Sequence, residues 1–217
     1  MRGVQKVGMS TAHPSPLGGA KPTRDQLAQF ANATVSDRIP NSDLRLLIVG
    51  VNPGLWTAAV NAPFAHPGNR FWPSLDRAGI VTPRFDVSHG MSDEQEKHLA
   101  HLGIGMTNLV ARATARADEL TTQELIDGAQ RVIHLANALR PRVVAVVGIT
   151  AYRAGFQHRK AVLGKQDPTL IAGWPEDVAL WVVPQPSGLN AHETVETLAQ
   201  RWRDVWDDSA LSSRSSH

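Results

Sequence analysis

The sequence contains no cysteine, which excludes disulfide bonds and thiolate metal sites and is compatible with a reducing, intracellular compartment. It has no apolar run near the ~18 residues that a transmembrane helix requires, so we expect no membrane partner. Arg2 and Lys6 stand near the N-terminus without an apolar segment behind them. We therefore expect no secretory signal.

Charge of one sign is also scarce, because the formal net charge of the 217 residues is only +2. Arginine nevertheless supplies 17 of the 22 basic residues, and its guanidinium suits bidentate contacts with phosphate. This balance permits nucleic-acid binding, but it is equally typical of an ordinary arginine-rich surface.

Several motifs of other chemistries are missing. The sequence has no GxxxxGK[ST] loop, no GxGxxG turn after a strand and no HExxH pair. His98 and His101 share a face of a predicted helix, but no set of carboxylates or cysteines accompanies them. A solvated surface is therefore favoured over a metal site at these histidines. We predict neither a metal nor an organic cofactor.

Alternating strand and helix patterns predict the α/β class, as a three-layer αβα sandwich around a central, mostly parallel sheet. Apolar runs at 46–51, 143–147 and 179–183 are typical of buried strands. A capping box at Thr121–Glu124 opens a long helix, and Asn190 is predicted to cap the last one. We expect a disordered tail at residues 1–23, a single domain at 24–208 and a polar tail at 209–217.

The stretch from Leu46 to Trp72 holds the clearest functional signal. It begins as a buried strand and stops at Asn52, where Pro53 and Gly54 suit a turn. Asn52 is thereby placed at the carboxyl end of a central strand, the edge at which open α/β sheets bind ligands. From the residues alone, a side chain that merely closes the turn is the favoured interpretation of Asn52.

Two segments resemble the signatures of a known family. Residues 50–54 read GVNPG and residues 63–72 read PFAHPGNRFW. They resemble the first signature of the mismatch-specific uracil/thymine DNA glycosylases, a branch of the uracil-DNA glycosylase superfamily. Residues 184–189, PQPSGL, resemble the second signature, NPSGL, with Gln185 in place of asparagine. The resemblance runs from about Leu44 to Trp206, and both motifs occur in the family's order.

The resemblance implies a base pocket around the first motif. It assigns Asn52 to position the water that attacks the glycosidic bond, and Phe64 to stack on a flipped uracil. From the residues alone, a core aromatic under the loop is preferred for Phe64, and Asn69 either bonds the base edge or caps the following helix. Thr57 is implied to abut the C5 side of the base. The implied pocket comprises Val51, Gly54, Thr57, Phe64 and Asn69.

The second motif is implied to hold DNA. Backbone N–H groups in a turn before a helix can bind phosphate, and the family's leucine, here Leu189, wedges into the duplex where the flipped base was. An ordinary hydrophobic staple on the last helix is the alternative for Leu189. Ala191 stands where some members have arginine. The implied DNA contacts are Gln185, Ser187, Gly188, Leu189, Asn190 and His192.

The sequence therefore predicts a monofunctional DNA glycosylase that flips uracil out of mismatched duplex DNA and hydrolyses its N-glycosidic bond, leaving an abasic site for base excision repair. Thymine and other damaged pyrimidines are further candidate substrates. No lysine lies in either motif, which disfavours a Schiff-base lyase step. The predicted partner is double-stranded DNA containing uracil or a mismatched or damaged pyrimidine, and we expect a cytoplasmic, nucleoid-associated monomer. A non-catalytic nucleic-acid or nucleotide-binding α/β module is the alternative, which the intact Asn52 disfavours.

Overall fold

The computed structural model of the chain describes residues 13–41, 43–188 and 190–211. Its strands are β1 Leu46–Gly50, β2 Ile104–Asn108, β3 Val143–Val147, β4 Gly164–Gln166 and β5 Ala179–Val183. They form one five-stranded sheet in the order β2-β1-β3-β5-β4. All neighbours pair in parallel except β4, which runs antiparallel to β5. The predicted α/β fold with a mostly parallel sheet is confirmed.

Helices cover both faces of this sheet, because alternate strand residues point to opposite sides. Leu46 and Ile48 of β1 pack into one apolar cluster, and Leu47 and Val49 pack into the other. The helices are α1 Arg24–Gln29, α2 Leu55–Val60, α3 Phe71–Arg77, α4 Asp93–Leu102, α5 Thr122–Leu139, α6 Ile149–Gly155 and α7 Val195–Leu211. The first cluster includes residues of α3 and α7, and the second includes residues of α5 and α6.

The strand order creates a crevice at the carboxyl edge of the sheet. β1 pairs with β2 on one side and with β3 on the other, so the chain reverses its direction of winding between β1 and β3. The loops after these two strands therefore leave in opposite directions and open a gap, which is where doubly wound sheets bind ligands.

The ends of the helices test two capping predictions. Thr121 accepts from the backbone N–H of Glu124 at 3.2 Å, so the predicted capping box of α5 is confirmed. Asn190 does not cap the last helix, because α7 begins only at Val195. Its Nδ2 donates to Gln185 O at 3.1 Å instead, so its side chain braces the loop before the helix.

Part of the predicted N-terminal tail contacts the domain. His13 Nδ1 lies 3.1 Å from Glu96, Asn61 donates to Pro14 O at 3.2 Å, and Pro22 is buried. At the other end, α7 continues to Leu211. The division at residues 23 and 208 stays a prediction, and residues 1–12 and 212–217 lie outside the described part of the chain.

Candidate active site

A cavity of about 510 Å³ opens at the carboxyl edge of the sheet. Its wall includes the ends of three neighbouring strands, at Gly50 of β1, Asn108 of β2 and Val147 of β3, together with Gln185 from the loop after β5. Volumes of roughly 300–1,000 Å³ are typical of small-molecule sites. A cavity at this switch of strand order therefore has both the place and the size of a ligand site.

Asn52 lines this cavity with a carboxamide whose orientation is fixed. Its Nδ2 donates to Thr114 Oγ1 at 2.7 Å, to Arg112 O at 3.0 Å and to Pro53 O at 3.2 Å. Thr114 Oγ1 donates its own proton to Arg116 O at 2.7 Å, so toward Asn52 it can only accept. All three partners of Nδ2 are thus acceptors, and Oδ1 is the atom that remains to accept a hydrogen bond from a molecule in the cavity.

The loop that carries Thr114 is tied to the end of β1. Leu109 N donates to Gly50 O at 2.8 Å, and Thr114 N donates to Pro53 O at 3.1 Å. These backbone bonds run on both sides of Asn52 and hold the 109–114 segment against it. Sequence analysis missed Thr114, because only the folded backbone brings it beside a residue 62 positions earlier.

Phe64 is half-buried, lines the cavity and stacks on the buried ring of Phe71, with 3.9 Å between the ring centroids. Its backbone has φ 54°, a left-handed conformation that is costly for a bulky residue. Such strain persists only where the surroundings enforce it, and it concentrates at functional sites. Gly68 N donates to His66 Nδ1 at 3.1 Å, which braces the same loop.

The other residues of the predicted base pocket also line the cavity. Thr57 and Val51 are buried, whereas Gly54 is exposed. Asn69 Oδ1 accepts from Phe71 N at 2.9 Å and so caps the start of α3. Its Nδ2 has no hydrogen-bond partner among the described residues, which leaves a donor in a residue that lines the cavity.

Asn108 is a second amide in the cavity wall that sequence analysis missed. A Cβ atom at Gly50 would lie 2.4 Å from Asn108 Oδ1, so only glycine at the end of β1 lets this carboxamide lie across the strand. Like Asn52, Asn108 is a polar residue at the carboxyl end of an apolar strand. That pattern was available as a signal in the sequence.

The second motif lies beside the first. Gln185 and Ser187 line the cavity, and the Gln185 side chain packs on Gly148, whose added Cβ would lie 2.9 Å from Gln185 Nε2. Gly188 is exposed and packs against Gly68 O, which would lie 2.7 Å from a Cβ at that position. His192 is exposed, and its N–H donates to Asn190 Oδ1 at 3.2 Å. Leu189 lies outside the described residues.

A buried guanidinium completes one side of the cavity. Arg38 lines the cavity, is 9% exposed and donates to Glu96 at 3.2 Å and to Asn61 O. Burial lowers the pKa of the Arg38 guanidinium from its ordinary value, and the attraction of Glu96 partly opposes that shift. The positive charge of Arg38 at the cavity wall is therefore already paired with the negative charge of Glu96.

A family model described as the uracil DNA glycosylase superfamily matches residues 37–208. This match spans most of the chain and contains both motifs. The chain belongs to the uracil DNA glycosylase superfamily. Membership supports assigning it to the DNA glycosylases, which are hydrolases of N-glycosidic bonds.

The fold of this superfamily member is also similar to that of a candidate uracil DNA glycosylase from Methanosarcina acetivorans, determined in solution by NMR. The TM-score is 0.54 at 17% sequence identity, over 82% of this chain and 97% of that chain. At this identity the match shows that the two chains share a fold.

One wall of the cavity comes from outside the matched region. Leu27, Val35 and Ser36 line the cavity and precede residue 37, where the superfamily match begins. Val35 packs with Ala58 and Ala113 in a small apolar cluster that joins this segment to α2 and to the 109–114 segment. This superfamily member therefore builds part of its candidate site from residues that precede the matched region.

The described part of the chain shows neither a group of metal ligands nor a membrane-spanning helix. Within residues 13–41, 43–188 and 190–211, no three histidine, aspartate or glutamate side chains meet in a group that could hold a metal ion. None of the helices in this part of the chain combines the length and the apolar character needed to cross a bilayer.

Proposed function

We propose that the chain is a monofunctional uracil-DNA glycosylase of the mismatch-specific uracil/thymine branch, which excises uracil from mismatched duplex DNA. The observation that carries this proposal is the fixed carboxamide of Asn52 in a cavity that also holds a stacked aromatic ring, Phe64. The two motifs, GVNPG with PFAHPGNRFW and PQPSGL, support the choice of branch.

In this proposal Asn52 Oδ1 accepts a hydrogen bond from a water molecule. This bond orients the water so that a lone pair of the water oxygen points at C1′ of the flipped nucleotide. The water oxygen forms a bond to C1′ as the C1′–N bond breaks, the base leaves as an anion, and the proton of the water passes to solvent. An amide orients the water but does not remove its proton, so the site acts by positioning and electrostatics.

The base would stack on Phe64, on the face opposite Phe71. Two amides of the wall, Asn69 Nδ2 and the carboxamide of Asn108, supply hydrogen bonds for the polar edge of a pyrimidine. Thr57 would abut C5 of the base and restrict larger substituents there, which makes it the residue to examine if thymine proves a substrate.

The loop after β5 would hold the DNA. Backbone N–H groups around Ser187 and Gly188 and the polar side chains of Gln185, Asn190 and His192 are the proposed contacts, and Leu189 is the proposed wedge. The non-catalytic binding module has no feature of its own in its favour, whereas the fixed orientation of Asn52 favours a reaction.

Excision of uracil tests this function directly. Labelled duplexes with U·G, U·A and T·G pairs and a single-stranded uracil oligonucleotide should be incubated with the protein, and abasic sites cleaved with alkali. We expect cleavage of the U·G duplex, and a loss of several orders of magnitude in single-turnover rate for Asn52→Ala with DNA binding retained. Excision by Asn52→Ala within threefold of the unaltered protein would remove Asn52 from the mechanism.

The pattern across substrates tests the finer assignment. Faster excision from U·G than from U·A supports the mismatch-specific branch, and equal rates contradict it. Binding of all the duplexes without cleavage of any would favour the binding module.

A further inference from the structure

Arg70 connects the first motif with the loop that follows β5. Its Nη1 donates to Asn190 O at 2.9 Å and to Glu193 O, and its Nη2 donates to Gly188 O at 3.2 Å. Its backbone N–H donates to Pro186 O at 2.8 Å. One residue thus makes four hydrogen bonds to carbonyl groups spread over the 186–193 loop.

The partners of Arg70 are unusual for a partly buried arginine. Among the described residues no carboxylate lies within ion-pair distance of its guanidinium, and the side chain is bonded to main-chain oxygens instead. A planar guanidinium has five donors in a rigid fork and can bridge several carbonyls at once, whereas the compact ammonium of lysine cannot match that geometry.

The 186–193 loop has little else to order it. Gly188, Ala191 and His192 are exposed, and Pro186 at the start of the segment is the only buried apolar side chain among its described residues. Within the loop, Asn190 N donates to Ser187 O at 3.0 Å, and the Asn190 side chain donates to Gln185 O at 3.1 Å. Beyond Pro186 the loop is therefore held mainly by polar contacts, and those of Arg70 tie it to the rest of the protein.

We infer that Arg70 is a positioning residue, which holds the 186–193 loop in its DNA-binding conformation before DNA arrives. Ordering a loop on binding subtracts from affinity and from transition-state stabilisation, and a loop that is already ordered avoids this loss. This inference rests on the proposed function, in which the same loop contacts duplex DNA.

A direct contact between Arg70 and a DNA phosphate is the rival interpretation, and it predicts different behaviour. A phosphate contact depends mainly on charge, so Arg70→Lys would retain it, and Arg70→Met would reduce the slope of log K against log salt by roughly one unit. A loop clamp depends on the shape of the guanidinium, so lysine would fail almost as badly as methionine and the slope would not change.

The experiment compares Arg70→Lys and Arg70→Met with Arg77→Met, in which an exposed arginine at the end of α3, the helix that begins directly after Arg70, loses the same charge. Hydrogen exchange of the 185–193 backbone should accelerate in both Arg70 variants and not in Arg77→Met. Excision from a U·G duplex should fall by about tenfold to a hundredfold in both Arg70 variants, the order of effect expected from a misplaced positioning group. The loss should be smaller on single-stranded uracil DNA, where the loop has no duplex to open.

Three outcomes would overturn the inference. The first is an excision rate restored by Arg70→Lys, and the second is a slope of log K against log salt that changes only in Arg70→Met. The third is excision slowed equally on single-stranded and duplex DNA, with a matching drop in melting temperature. If the unaltered protein excises no uracil, the proposed function fails, and hydrogen exchange with duplex-binding titrations still decides whether Arg70 orders the loop.

Discussion

Thr114 has one hydroxyl proton, and it is donated to the main chain at Arg116 O. The hydroxyl oxygen of Thr114 in turn accepts from Asn52 Nδ2 at 2.7 Å, the shortest of the three contacts that fix the Asn52 carboxamide. An amide can flip with little change in shape, so its partners alone decide which atom faces the cavity. At the scale of single residues, the proposed chemistry therefore depends on a threonine as well as on the asparagine.

Thr114→Val tests this dependence, because valine keeps the shape of threonine and removes the acceptor. With the hydroxyl gone, the carboxamide of Asn52 can turn its oxygen away from the cavity part of the time. We expect single-turnover excision to fall about tenfold to a hundredfold with little change in DNA affinity. Thr114→Ser should retain most of the activity, and a Thr114→Val variant as active as Thr114→Ser would show that the other two acceptors suffice.

At the scale of elements, residues 32–35 of the N-terminal segment pair with residues 111–113 beside the site. Val35 N donates to Ala111 O at 3.0 Å, and Asn32 N donates to Ala113 O at 2.9 Å. The Asn32 side chain accepts from Arg112 Nη1 at 2.9 Å. Because Arg112 O is one of the acceptors for Asn52, residues 32–35 support the 109–114 segment that fixes the Asn52 carboxamide.

Asn32→Gly isolates the side-chain contact of this segment. Asn32 has φ 65°, which glycine adopts without strain, so the variant removes the bond to Arg112 and little else. We expect only a small loss of stability, because this contact is exposed to solvent, and a few-fold decrease in excision rate. Asn32→Ala should destabilise more, since alanine is strained at this φ. Arg112 also donates to the Glu124 carboxylate and to Glu119 O, so an excision rate in Asn32→Gly that matches the unaltered protein would mean that these contacts suffice to hold Arg112.

The elements also show where sequence patterns suffice and where they do not. The apolar runs of β1, β3 and β5 and the capping box of α5 were predictable, because burial and capping leave local signatures. β4 was missed, since the three polar residues Gly164–Gln166 carry no hydrophobic pattern. The five residues of the implied pocket line one cavity, and their roles stay predictions. Thr114 and Val35 join the cavity wall, and Arg70 joins the neighbouring loop, through tertiary contacts that no local pattern records.

At the scale of the whole molecule, the buried phenol of Tyr152 makes stability depend on pH in the alkaline range. Tyr152 is the only tyrosine of the sequence, is fully buried and has no hydrogen-bond partner for its hydroxyl among the described residues. Burial raises the pKa of Tyr152 from 10.0 to about 12. Below pH 10 both folded and unfolded chains keep the proton, and between pH 10 and 12 only the folded chain does. This contribution to stability is therefore lost as the pH rises through that window.

Tyr152→Phe tests this link and removes an unsatisfied hydroxyl from the core. We expect its melting temperature at neutral pH to equal or exceed that of the unaltered protein, because burying an unpaired hydroxyl costs about 1–3 kcal/mol. The fall in stability between pH 10 and 12 should be smaller in the variant. The absorbance of tyrosinate reports Tyr152 alone, and its appearance near pH 10 in the folded protein would contradict the raised pKa.

Both margins of the sheet are poorly suited to pairing with further strands. On the outer side of β2, Arg38 exchanges backbone hydrogen bonds with Met106 at 2.7 and 2.8 Å, so the chain at Arg38 already occupies a pairing position in the middle of this edge. On the other side, β4 is three residues long and carries Lys165 in its middle. Long, open, apolar edges template fibrils, and short or covered ones do not. Arg38, which lines the cavity, thus also works against edge-to-edge pairing of folded molecules when the protein is concentrated.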